Sequence, residues 1–126
     1  MILDASALLV FLLSEQGKDR VAEALLSGAT MSTVNFAEVA ARYIARGAIG
    51  RAETLMQRLP IALVGMDDDL AQRSALLADR CRPLVLSLGE RVCLALGQRT
   101  EQTILTADPS WPELAARVGV QVELVG

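Results

Sequence analysis

The sequence predicts an α/β fold: a three-layer α/β/α domain whose short, mostly parallel central sheet is covered on both faces. Three observations carry this prediction. Short apolar segments alternate with helix-patterned ones along the whole chain. Those short segments are almost wholly apolar rather than alternating in polarity, as strands buried on both faces are. The composition is 52% hydrophobic but only 3% aromatic, a Leu-, Ala- and Val-rich mixture that suits helices packed on a sheet and argues against a β-sandwich or a disordered chain. With 126 residues the chain has the length of one domain, 1–126, and no repeat or linker divides it.

Met1 to Asp4 reads as a short buried strand ending in a carboxylate, followed by a helix from Ala5 to Leu13 and a turn around Ser14 to Gly17. Lys18 to Leu26 places Val21, Ala24 and Leu25 on one side and Asp19, Arg20 and Glu23 on the other, which is an amphipathic helix. Gly28 to Met31 forms a second strand. Ser32 and Thr33 then suit the N-cap of the longest helix, Val34 to about Arg46, which Gly47 stops. A helix from Gly50 to Leu59 is closed by Pro60, and Ile61 to Val64 is the third strand. Asp67, Asp68 and Asp69 open a helix to about Asp79, where the macrodipole favours a solvated acidic start. Ser87 caps a helix through Gln98, Thr103 to Leu105 is the fourth strand, Ser110 to Val118 a short helix, and Val120 to Val125 the last strand.

Several functional classes are excluded at once. There is no histidine, so Ser-His-Asp and Cys-His catalysis and histidine-bound zinc are absent. The two cysteines, Cys81 and Cys93, sit in apolar context and read as inert core thiols. A net charge of −3 argues against a simple electrostatic nucleic-acid binder, although not against an enzyme whose metal ions supply the positive charge. The longest apolar run, Ala7 to Leu13, is far short of the ~18 residues of a membrane span. Asp4 interrupts the apolar N-terminus and the first positive charge, Lys18, follows it, unlike a signal peptide. A cytoplasmic protein without membrane contact is expected.

Chemistry therefore rests on carboxylates, hydroxyls and arginines. Asp4 ends the first strand and Asp108 lies just past the fourth, so on parallel neighbours both would face the crevice beyond the carboxyl ends, where ligands of such sheets collect. Each equally fits a helix cap or turn. Glu38 lies mid-helix, opposite the bulky face of Phe36, Val39, Ala40 and Tyr43 and beside Asn35 and Arg42; a surface Glu38–Arg42 pair is the plain alternative. Glu90 follows Ser87 at capping-box spacing, in which its carboxylate would reach back to the Ser87 N–H. Arg42, Arg46, Arg51 and Arg58 suit either a solvated face or a guide for a phosphate backbone.

Four segments, Met1–Leu8, Ser32–Val39, Leu86–Leu96 and Leu105–Asp108, together resemble the PIN-domain ribonucleases, specifically the VapC-type toxins of bacterial toxin–antitoxin pairs. The resemblance runs in order over essentially the whole chain. It implies an acidic pocket of Asp4, Glu38, Glu90 and Asp108 that holds Mg²⁺ or Mn²⁺ and hydrolyses RNA phosphodiesters, with Ser6, Asn35 and Thr106 as supporting polar groups. It also implies a homodimer and a cognate antitoxin as partner. Glu90 departs from the pattern, which ordinarily has Asp at that place, and this leaves a catalytically weakened binding module as an alternative. A phosphoryl-accepting domain built on Asp4 is less well supported, because Ser6 stands where a second aspartate would be wanted and Lys18 is the only lysine.

Overall fold

The computed structural model describes residues 1–47 and 49–126. Five strands, β1 (Ile2–Leu3), β2 (Ala29–Ser32), β3 (Ile61–Val64), β4 (Ile104–Thr106) and β5 (Val122–Leu124), form one sheet in the order β3-β2-β1-β4-β5. Every pairing is parallel, so the expected mostly parallel sheet is parallel throughout. The helices are α1 (Ala5–Leu12), α2 (Lys18–Leu26), α3 (Thr33–Ala45), α4 (Ile49–Arg58), α5 (Asp68–Arg80), α6 (Leu88–Thr100) and α7 (Trp111–Arg117). The elements match the expected ones, with ends displaced by a residue or two, as fraying ends are.

The period of two along a strand divides the core. Ile2 and Ile104 face a cluster with Leu70, Leu77, Leu94, Leu96 and Trp111 of α5, α6 and α7, whereas Leu3 and Leu105 face Leu8, Val21, Leu25 and Val39 of α1, α2 and α3. Fully burying side chains of this size is worth about 1.5–3 kcal/mol each, and the two clusters clamp the sheet from both sides. Cys81 and Cys93 are free thiols buried in the first cluster. The strand β3 corrects one expectation: Ala62 and Leu63 are exposed, Leu63 by 46%. As an edge strand it has a neighbour on one side only, so an apolar run alone did not guarantee two covered faces.

Strand order sets the place for a site. The chain builds outward from β1 to β2 to β3, then crosses back to add β4 on the other side of β1. The connections before and after this reversal run over opposite faces, the arrangement in which ligands of such sheets collect at the carboxyl ends of the strands, here those of β1 and β4. Asp4 directly follows β1 and Asp108 follows β4 by two residues.

Candidate active site

Asp4 is the N-cap of α1: its Oδ1 accepts the Ala7 N–H at 2.9 Å. The capping role accounts for only part of its surroundings. The Ser6 hydroxyl donates to Oδ1 at 2.6 Å and the Thr106 hydroxyl donates to Oδ2 at 2.7 Å. Each hydroxyl in turn accepts a backbone N–H from the loop after β4, Ser6 from Ala107 at 2.9 Å and Thr106 from Asp108 at 3.1 Å. Two N–H···O–H···O⁻ relays thus bolt the end of β1 to the end of β4 and aim at one carboxylate. Asp4 is 5% exposed. Burial pushes its proton affinity above the usual aspartate value, against the opposing pull of the Ser6 and Thr106 hydroxyls and the Ala7 amide. Oδ1 has both lone pairs engaged, while Oδ2 keeps one.

Glu38 reaches the same edge from α3, where a buried clasp sets its position. Ser32, the N-cap, accepts the Asn35 N–H at 3.0 Å and donates its hydroxyl to Asn35 Oδ1; the Asn35 amide then donates to the Gly89 carbonyl of α6 at 2.9 Å. Asn35 is buried, so α3 has a second covered side besides the one carrying Phe36 and Val39. The carboxylate of Glu38 lies directly on Gly89, where a Cβ would come within 2.0 Å of its Oε1. Among the described residues no hydrogen bond reaches that carboxylate. Burial raises its proton affinity, the Arg42 charge opposes this, and the neighbouring Glu90 and Asp4 charges add to the rise. The plain alternative, a direct Glu38–Arg42 ion pair, does not form among the described residues. Beneath lies Cys93, whose thiol burial holds well above its usual range, with Asp4 and Glu38 adding to the effect.

Glu90 sits at the start of α6, which Ser87 caps by accepting the Glu90 N–H at 3.2 Å. The reciprocal bond runs differently from a capping box: Glu90 Oε1 accepts the Ser87 hydroxyl at 3.0 Å rather than the Ser87 N–H. Asp108 makes an Asx turn, its Oδ1 accepting both the N–H and the hydroxyl of Ser110, at 2.9 and 2.8 Å. Local caps and turns therefore do occupy these acids, but each holds one oxygen of Glu90 and of Asp108 and orients the side chain without using the second. The charges of Asp4 and Glu90 both reach Glu38; Asp108 lies in the loop after β4 with its carboxylate turned to Ser110. Among the described residues no three acids, cysteines or histidines close into a ready-made cage for an ion.

Gly89 was the contributor that motif reading passed over. It occupies the second position of α6, where glycine costs about 1 kcal/mol relative to alanine; that unexplained cost was the available signal. The aspartates that open α5 are exposed, as expected of a solvated helix start, and Arg99 of α6 pairs with Asp67 at 2.8 Å and Asp69 at 3.3 Å. The side chain of Arg51 lies outside the described residues.

Comparison with known proteins places this geometry. No curated protein matches the chain significantly in sequence. In structure it is similar to VapBC2 from Rickettsia felis, bound to a DNA fragment from their promoter, at a TM-score of 0.79 and 8% identity over 99% of this chain and 98% of that one. FitAcB from Neisseria gonorrhoeae follows at 0.71 and 18%, over 96% and 94%. A toxin–antitoxin complex from Klebsiella pneumoniae gives 0.65 and 22%, over 85% of each chain. These likenesses establish the shared fold. A profile for the PIN domain matches residues 1–117, almost the whole of the chain, and the protein belongs to the PIN-domain family.

Proposed function

We propose that this PIN domain is a metal-dependent endoribonuclease that hydrolyses RNA phosphodiesters as a growth-inhibiting toxin, neutralised by a cognate antitoxin. The observation that carries the reading is Glu38: a carboxylate without hydrogen-bond partners among the described residues, set on a glycine and within electrostatic reach of Asp4 and Glu90. Such an arrangement gains most from a cation. The donor set fits Mg²⁺ or Mn²⁺ in type, since it is all oxygen, and such an ion keeps several waters and binds through one or two carboxylates. Asp4 and Glu38 would hold the ion, with the unengaged oxygens of Glu90 and Asp108 at its margin. When bound, such an ion activates water and neutralises charge on the scissile phosphate.

The chain's own groups do the remaining work. Ser6 and Thr106 keep Asp4 from rotating, so that only the spare lone pair of Oδ2 faces the crevice. Asn35 fixes α3 to α6 and with it the separation of Glu38 and Glu90. The protein works in the cytoplasm on this reading, where RNA and a co-produced antitoxin are met; among the described residues no helix is long and apolar enough to cross a membrane. The likeness to toxin–antitoxin complexes supports the antitoxin partner. Exposed apolar side chains such as Val85, at 98%, and Leu63 support a homodimer.

Incubating RNA with the purified protein in Mg²⁺, in chelator, and with Asp4→Asn tests the proposal. Cleavage by the wild type in Mg²⁺ alone is the expected result; cleavage that survives chelation or Asp4→Asn overturns it. The second reading, a PIN-fold binding module with weakened catalysis, is favoured by Glu90 in place of Asp and by the turn of Asp108 onto Ser110. It would show as RNA binding without cleavage. The phosphoryl-accepting alternative loses ground because Asp4 is buried with three donors on its two oxygens, a poor nucleophile.

A further inference from the structure

We propose that Arg42, continued by Arg46, is the phosphate-positioning track along which RNA enters the acidic crevice. The inference rests on the nuclease reading above and adds to it the residues that hold the substrate's backbone.

An acidic crevice on a protein of net charge −3 repels a polyanion, so binding demands cations placed close by. Most of the chain's arginines are committed elsewhere. Arg20 pairs with Glu123, Arg73 with Asp69, Arg82 with Asp79 and Arg99 with Asp67. Arg91 and Arg117 donate to backbone carbonyls.

Arg42 is different. It is exposed, makes no ion pair among the described residues, and its charge reaches Glu38 along α3. Glu38, Arg42 and Arg46 stand at i, i+4 and i+8 on α3 and its C-cap, so they line one stripe of the helix leading away from the acids. Arg46 is likewise exposed and without an ion pair among the described residues. Successive helical positions four apart rise about 6 Å, comparable to the spacing of adjacent phosphates in an extended single strand. Two planar guanidinium groups at that interval can each take a phosphate through paired N–H donors.

The test is the salt dependence of binding, measured by fluorescence anisotropy with a labelled single-stranded RNA and chelator present to prevent turnover. Each phosphate contact on a single strand contributes about 0.7 to the slope of log K against log salt. Arg42→Gln is expected to weaken binding severalfold and flatten the slope by about 0.7, and Arg42→Gln with Arg46→Gln by about 1.4. Arg80→Gln, whose residue lines the hollow at the opposite edge of the sheet, should leave the slope unchanged. A residue that merely tuned Glu38 would shift the pH profile of cleavage and not the salt slope. An unchanged slope in the double variant, or a wild type that binds no RNA under these conditions, overturns this inference alone; the nuclease reading stands or falls separately on the cleavage assay in Mg²⁺.

Discussion

The two ends of α6 make an instructive pair. Both carry a glycine pressed against a neighbour. At Gly89, beside the carboxyl ends of the strands, a side chain would displace the carboxylate of Glu38; at Gly97, two turns on, it would come within 2.9 Å of Ile104 Cδ1 and Val120 Cγ1. One absence makes room for a charge, the other for hydrocarbon. A hollow of about 710 Å³ lies at the second end, lined by Arg73, Arg80, Gln98, Gln102 and Gln121 among others. The proposed chemistry lies at the first end, where strand reversal, two hydroxyl relays and an asparagine clasp fix acids.

The contrast breaks most sharply at Asp4. Asp4→Asn is expected to abolish metal-dependent cleavage while preserving the fold, since the amide keeps the shape. Its effect on pH dependence follows from the raised proton affinity of the buried acid. The folded protein binds that proton more tightly than the unfolded chain, so this group's contribution is greatest below the ordinary value of 3.8 and is lost as pH climbs through the raised value. Thermal midpoints of metal-free protein between pH 3 and 7 should show that loss in the wild type and less of it in Asp4→Asn. Identical profiles for the two proteins would remove the buried-charge argument.

Gly89→Ala comes next. Its Cβ must push Glu38 aside, and misplacement by about 1 Å can cost about 10²-fold in rate, so kcat should fall to that degree with a smaller change in melting. An alanine variant that cleaves at the wild-type rate would mean that the cradle has no part in the chemistry. Gly97→Ala supplies the opposite end: overpacking against Ile104 and Val120 should cost about 1–3 kcal/mol of stability in a denaturant titration, with activity per folded molecule unchanged.

The smallest effect is expected for a conservative change at Glu90. Glu90→Asp shortens the reach by about one C–C bond, ~1.5 Å, and should raise Mg²⁺-supported cleavage severalfold, more than Mn²⁺-supported cleavage, because Mg²⁺ demands stricter geometry. Glu90→Ala should lose both the Ser87 hydroxyl bond and cleavage. If Glu90→Ala instead cleaves normally with a lowered midpoint, Glu90 serves only the helix start.

Much of this was legible from local chemistry. Strands and helices were readable because apolar runs, caps and stops act over a few residues: Ser32, Ser87 and Gly47 do at their positions what their side chains allow anywhere. Asp4 and Asp108 were readable as strand-end acids, because in a parallel sheet every strand ends on the same edge. What Glu90 bonds to was not, since a carboxylate at the third helical position can meet either the N–H or the hydroxyl of the cap, and the choice depends on rotamers that the spacing leaves free. The burial of Asn35 was hidden for a related reason: a helical wheel shows one apolar face and gives no sign that a second helix will cover the polar one.

By itself, then, the sequence determined the layered α/β architecture and, lacking histidine, left its chemistry to carboxylates and hydroxyls, because composition and periodicity are properties of the chain alone; the set of four acids came from the resemblance to the PIN-domain ribonucleases. Only the tertiary structure decided that β3 is an exposed edge, that Gly89 is a seat for Glu38, and that Ser6 and Thr106 bind both oxygens of Asp4. These facts join residues as far apart as 4 and 106, or 38 and 89, and such distances close only when burial of two apolar clusters brings the ends of β1, β4, α3 and α6 together.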